Sequence, residues 1–153
     1  MEKQPTNSYE VLAPCGNKES FFAAINTGAD AIYLGLKDFN ARNNIENFGT
    51  EDMEELVDYA HIFGVKVYVA FNILIKNEEM ESALNIIKKA YLSGVDAFIV
   101  QDIGLASLMR KFFPEIVLHA STQMGIHNLE GAKFLEEHGF KRVVLSRETS
   151  LEE

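Results

Sequence analysis

One phrase, repeated along the chain, constrains the fold more than anything else in the sequence. It reads Gly28-Ala29-Asp30-Ala31-Ile32-Tyr33-Leu34, then Gly64-Val65-Lys66-Val67-Tyr68-Val69, Gly94-Val95-Asp96-Ala97-Phe98-Ile99-Val100 and Gly139-Phe140-Lys141-Arg142-Val143-Val144-Leu145. A glycine is the usual residue for stopping a helix, and a continuous run of β-branched and aromatic residues fits a strand buried on both faces. Amphipathic stretches separate the copies, so the chain alternates helix and strand, and the strands must lie in a parallel sheet covered by helices. The copies recur at uneven intervals of roughly 30 to 45 residues and share little beyond the glycine and its neighbours. That irregularity favours successive βα units over a solenoid.

Two further strands fit the rhythm: Tyr9 to Ala13 ahead of the first helix, and Glu115 to His119 after Pro114 has stopped one. Six parallel strands result, with helices expected at about 18–27, 51–63, 78–93, 104–113 and 128–138. Thr50 and Asn77 are expected to cap the second and third helices, each followed by carboxylates that suit the positive end of a helix dipole. In helix 78–93, Met80, Ala83, Leu84, Ile87, Ala90 and Tyr91 form one apolar stripe, which reads as core. A closed eight-stranded barrel takes about 250 residues. The fold class is therefore α/β, a partial TIM-like (β/α) barrel over 10–153 after a polar tail over 1–9. Ser150-Leu151-Glu152-Glu153 reads as the start of another helix, as though the barrel continued beyond it.

Composition narrows the function classes. The chain is 47% hydrophobic and 24% charged, enough to fill a core and too apolar for a disordered segment. The apolar segment Val65 to Ile75 contains Lys66 and Asn72 and falls well short of the roughly 20 residues that cross a bilayer. The opening residues Met1 to Ser8 lack a leader's apolar centre, so a cytoplasmic location is expected. A net charge of −9 repels phosphate backbones and disfavours unassisted nucleic-acid binding by this segment. The lone Cys15 can form neither an internal disulfide nor a multi-cysteine metal or iron–sulfur site by itself.

In parallel α/β folds, ligands gather at the carboxyl ends of the strands. Those ends carry Pro14-Cys15-Gly16-Asn17, Gly35, Asn72, Gln101 with Asp102, His119 with Ser121, Thr122 and Gln123, and Ser146-Arg147-Glu148. The opposite ends carry Asp30, Lys66, Asp96, Lys141 and Arg142, which read as ordinary solvated charges. Each candidate has an alternative. His119 serves a site or only bonds a neighbouring backbone; Arg147 and Glu148 contact a ligand or pair with each other. Asp102, His119 and Glu148 match no local metal-ligand spacing, so no metal site is assigned. Cys15 in its glycine-bounded loop is a cysteine nucleophile or just a small residue in a tight turn. His61 and His138 sit near helix ends, where the dipole accounts for them. No lysine stands at a strand's carboxyl end for Schiff-base chemistry, and no Walker loop or His-Glu-x-x-His helix is present.

Seven phrases in order resemble the collagenase-like peptidases (peptidase family U, number thirty-two). They are Glu10-Val11-Leu12-Ala13-Pro14 with Gly16-Asn17; Gly28 to Gly35; Phe39-Asn40-Ala41-Arg42 with Asn47-Phe48; Val67-Tyr68 with Asn72; Gly94-Val95-Asp96-Ala97 leading to Gln101-Asp102-Ile103-Gly104; His119-Ala120-Ser121-Thr122-Gln123 with Asn128; and Arg142 to Glu148. The resemblance runs from Glu10 to the last residue, and it implies the N-terminal barrel region of a longer protein with a cysteine-rich segment downstream. Family members include collagen-degrading proteases and proteins of oxygen-independent hydroxylation of tRNA, ribosomal RNA or the ubiquinone ring. The hydroxylation members are thought to hold an iron–sulfur cluster on four cysteines, none of which is present here. The expected parent is thus an RNA or quinone hydroxylation factor, with a protease or a non-catalytic interaction module as alternatives. This segment alone is expected to be inactive, and its open barrel edges to favour self-association. The expected substrate rim is Arg42, Asn72, Gln101, Asp102, His119, Ser121, Gln123, Arg147 and Glu148, for an RNA, quinone or peptide.

Overall fold

The computed structural model describes residues 9–40, 48–150 and 152. Six strands form one sheet: β1 (Leu12–Cys15), β2 (Ala31–Gly35), β3 (Lys66–Phe71), β4 (Ala97–Val100), β5 (Leu118–Ala120) and β6 (Arg142–Val143). All five pairings are parallel and the spatial order is the chain order, so each strand lies beside the next in sequence. Between them run α1 (Lys18–Asn26), α2 (Met53–Ile62), α3 (Met80–Leu92), α4 (Ile103–Phe112) and α5 (Leu129–Glu137). This is the partial (β/α) barrel that the repeated phrase implies. No helix among the described residues is long and apolar enough to cross a membrane.

The repeat has a local cause. Gly28, Gly64, Gly94 and Gly139 each follow a helix with φ between +72° and +88°, a region that glycine enters at little steric cost. Two residues later, Asp30 accepts a hydrogen bond from the Val11 amide at 2.8 Å, and Asp96 accepts one from Val67 at 2.7 Å. The aspartates of the Gly-x-Asp phrases thus cap the incoming end of the preceding strand. Asp96 also meets His61 Nε2 at 2.9 Å, so His61 has a specific partner beyond its own helix end.

Strand residues alternate between two cores, because successive side chains point to opposite faces. Ile32, Leu34, Val67, Val69, Phe71, Phe98, Val100 and Leu118 face the helices. Ala31, Tyr68, Ala97 and Ile99 face the concave side with Leu12, Tyr33 and Val117. Burying a Phe or Leu of this kind contributes about 1.5–3 kcal/mol relative to exposure. The concave face is therefore a second core, over which the strand ends open.

Several boundaries differ from expectation. β1 begins at Leu12, not Tyr9, because Asp30 occupies the Val11 amide and Val11 O accepts from the Asp30 and Ala31 amides where the ladder starts. β5 begins at Leu118, after a turn in which Ile116 N bonds to Phe113 O. Asp52, not Thr50, holds the N-cap position of α2, without a side-chain cap. Ahead of α3, Asn77–Glu79 form a 3-10 turn in which Glu79 accepts from the Lys76 amide, so Asn77 is no cap. The helix expected from Ser150 onward involves residues outside the described ones.

Candidate functional site

A cavity of about 500 Å³ opens at the carboxyl ends of the strands. Its floor is apolar, formed by Leu12, Ala70 and Ile99 with Tyr33, all on the concave face. Its walls carry Cys15 at the end of β1 and Gly16 after it, Asn72 after β3, Ser121, Thr122 and Gln123 after β5, and Val144, Leu145 and Arg147 after β6. The β5 and β6 loops are tied together here: Thr122 Oγ1 donates to Leu145 O at 3.1 Å, and Ser146 N donates to Ile126 O at 2.8 Å. Ser121 is buried and its hydroxyl accepts from the Gln123 amide at 3.2 Å, which sets the turn carrying Gln123.

The loop after β2 adds a wall that the strand-end rule does not reveal. Phe48 N bonds to Gly35 O and Lys37 N to Phe48 O, both at 3.1 Å, so the loop closes on itself. Phe39 has φ +62°, in a region that costs a non-glycine residue about 1–3 kcal/mol. Its ring stacks on Phe71 with centroids 5.1 Å apart, holding that conformation. The turn directs Asn40 inward: its side chain is buried, donates to Leu36 O, and lies where a Cβ on Gly35 would meet it at 2.9 Å. Gly35 therefore leaves the space that Asn40 fills at the cavity wall.

Of the expected rim residues, Asn72, Ser121, Gln123 and Arg147 line this cavity. Gln101 and Glu148 do not line it, and Arg147 and Glu148 form no ion pair with each other among the described residues. Asp102 caps α4, accepting from Leu105 N at 2.7 Å and Ile75 N at 3.1 Å, which is a structural use of both its oxygens. Arg42 lies outside the described residues. Tyr33 and Asn40 line the site without having been singled out; the alternation Tyr33, Gly35 on the concave face is the signal that points to the first.

His119 sits lower, inside the barrel and only 5% exposed, beside Ile99 and Arg142 in the strand register. Beneath it lies a polar quartet. Glu10 accepts from Arg142 at 2.6 Å, from the Tyr68 hydroxyl at 2.9 Å and from Lys66 at 3.0 Å. The Arg142 guanidinium stands 5.5 Å from the centre of the Tyr68 ring, and the Tyr68 ring meets His119 edge-on at 4.8 Å. Lys66 and Arg142 are thus not plain solvated charges, because a carboxylate ahead of β1 draws them across the barrel. Burial alone raises the Glu10 carboxyl, but bonds from Arg142, Lys66 and Tyr68 overcome it and hold the group at about 2. Burial, reinforced by Arg142, lowers His119 to about 4, so the ring is neutral at physiological pH.

Cys15 is buried, and its thiol contacts Ser20 O at 3.6 Å instead of a base. Burial pushes it up to about 11, which removes the thiolate needed by a nucleophile or a metal ligand. Among the described residues no three His, Cys, Asp or Glu side chains come together to hold a metal. These residues therefore do not fit an iron–sulfur cluster. The site can enclose a planar polar ligand, with an aromatic ring, amides, hydroxyls and one guanidinium around it.

The profile of Peptidase family U32 matches residues 16–153. The 23S rRNA 5-hydroxycytidine C2501 synthase of Escherichia coli is 43% identical over 144 residues, which are 94% of this chain and 21% of that protein. The tRNA hydroxylation protein P1 of Bacillus subtilis is 37% identical over 95% of this chain and 34% of its own length. A collagenase of Porphyromonas gingivalis is 33% identical over 96% of this chain and 35% of its own length. The chain thus spans about a fifth to a third of the length of these curated relatives. Among solved structures, the U32 peptidase Mk0906 superposes with a TM-score of 0.71 at 15% identity, covering 95% of this chain and 61% of the other.

Proposed function

The chain belongs to peptidase family U32, and from that premise we propose that it is the barrel portion of an RNA hydroxylation protein and that the strand-end cavity receives a single pyrimidine base. The observation that carries this reading is the lining of the cavity: one aromatic ring, Tyr33, beside amides from Asn72 and Gln123 and the Arg147 guanidinium over an apolar floor. Enzymes that modify a base draw it out of its stack, lay it against an aromatic or apolar surface and read its polar edge by hydrogen bonds. A volume of about 500 Å³ suits one base with its sugar. The names of the rRNA and tRNA relatives support the same substrate class.

Each residue then has a defined task. Tyr33 offers its ring to the base, Asn72 and Gln123 present amides that both donate and accept, and Arg147 at the exposed lip holds a base edge or a phosphate. The apolar floor excludes water. A net charge of −9 leaves no general attraction for a phosphate backbone, so contacts to the rest of the RNA come from other parts of a longer protein. We assign no step to an iron–sulfur cluster, whose ligands would have to come from outside the described residues. The unpaired outer edges of β1 and β6 take up further strands of a closed barrel or, in this chain alone, a second copy.

The test compares nucleosides from ribosomal and transfer RNA of cells with and without the gene, by mass spectrometry. Loss of a pyrimidine nucleoside one oxygen heavier than its parent is the expected result. An unchanged nucleoside profile refutes the reading; loss of gelatin cleavage in the same cells points to the hydrolase instead.

A further inference from the structure

His119 is buried, yet neither ring nitrogen bonds to a described residue; its ring meets that of Tyr68 in a T-shaped contact. Every fully enclosed side-chain nitrogen or oxygen among the described residues has a hydrogen-bond partner, so an unbonded ring nitrogen of His119 must border open space. The quartet of Glu10, Lys66, Tyr68 and Arg142 lies beneath it on the barrel-interior side. Beside His119 lies Ile99, its register partner, and two residues on in the chain, past the end of β5, stands Ser121; both line the cavity, and His119 lies one layer below that lining. A ring nitrogen that borders open space without a protein partner is available to water or to a bound ligand.

We propose that the quartet is a positioning assembly for His119, fixing its ring edge-on to Tyr68 so that one nitrogen is offered through the cavity floor to the bound ligand. This rests on the nucleobase reading of the cavity and adds a specificity-determining residue to it. Tyr68 is clamped twice, by its hydroxyl bond to Glu10 and by the Arg142 guanidinium over its ring, so it cannot swing away from the imidazole. The charged groups acting on His119 are Arg142, Glu10 and Lys66, and the cations outnumber the carboxylate. An imidazole kept uncharged can donate from one nitrogen and accept at the other, and it does not repel a cationic or protonated ligand edge.

Ring nitrogen resonances of histidine in the 153-residue chain, recorded against pH with and without cytidine as the probe, test this. His119 should remain uncharged down to about pH 5. Arg142→Gln should raise its titration midpoint by about one pH unit, and Glu10→Gln should lower it, because these neighbours push in opposite directions. Either variant suffices if the other fails to fold. A midpoint that moves with neither substitution in a folded protein overturns the assembly. Added cytidine should shift the His119 ring together with the Asn72 and Ser121 amides. Shifts at Asn72 and Ser121 that spare His119 overturn this inference and leave the nucleobase reading standing. No shift at any of the three overturns both.

Discussion

Replacing Glu10 by Gln keeps the shape of the side chain and removes the charge that Arg142 and Lys66 share. In the folded chain the carboxyl is drawn from 4.5 to about 2, and at about 1.4 kcal/mol per pH unit this corresponds to about 3 kcal/mol at neutral pH. Glu10 keeps 17% of its side-chain surface exposed, and Lys66 and Arg142 keep 55% and 38%, so solvent screening reduces the expected loss to about 2 kcal/mol. The sign follows from the depressed value: the stabilisation is fully present above about 4.5 and fades as pH falls toward 2. Urea unfolding followed by circular dichroism, necessary in a chain without tryptophan, should show Glu10→Gln less stable by about 2 kcal/mol near pH 7. Near pH 3 the gap should have fallen to about half of that or less. An equal gap at both pH values would mean that packing, not charge, is lost, and a gap below about 0.5 kcal/mol at pH 7 would refute the ion-pair account altogether.

Three other outcomes follow from the same structure. Phe98→Ala, at a fully buried position on the helix-facing side of β4, should cost about 3–5 kcal/mol in the same unfolding assay; a loss under 1 kcal/mol would contradict its placement. Cys15 should react with iodoacetamide far more slowly in the native chain than in urea, since it is buried and its thiol is pushed up to about 11; equal rates would show an open, activated thiol. Sedimentation at high micromolar concentration should give a mass above that of the monomer if the β1 and β6 edges find partners, and a strict monomer would exclude that association.

The sheet and its helices were legible because each unit repeats a helix-stopping glycine before an apolar run, a signal contained within a few residues. The strand-end rule brings Asn72, Ser121, Gln123 and Arg147 to the cavity wall because their position along each strand fixes which rim they reach. It misled at Asp102, whose carboxylate caps α4, while Thr50 and Asn77, expected to cap the second and third helices, do not. It placed His119 at the rim, whereas the register with Arg142 sets it one layer down. The quartet beneath was invisible for a different reason. Glu10 and Arg142 are 132 residues apart, and no local pattern reports that a curled sheet brings them within 2.6 Å. Asn40 has no strand-end signal for the cavity wall, because its direction depends on the positive φ of Phe39, which no glycine announces.

That long-range pair bears on how the chain folds. Every strand pairs with its sequence neighbour, so the sheet can grow one βα unit at a time, each step closing a short loop at small entropic expense. Among the contacts of Glu10, the bond from Arg142 alone must wait for the sixth unit. A chain emerging from the ribosome can assemble β1 through β5 with Glu10 held by Lys66 and Tyr68 alone, and the arrival of Arg142 completes the set. The carboxylate thus acts as a latch that closes last, and a late-forming contact of this kind chiefly slows unfolding while leaving the folding rate nearly untouched.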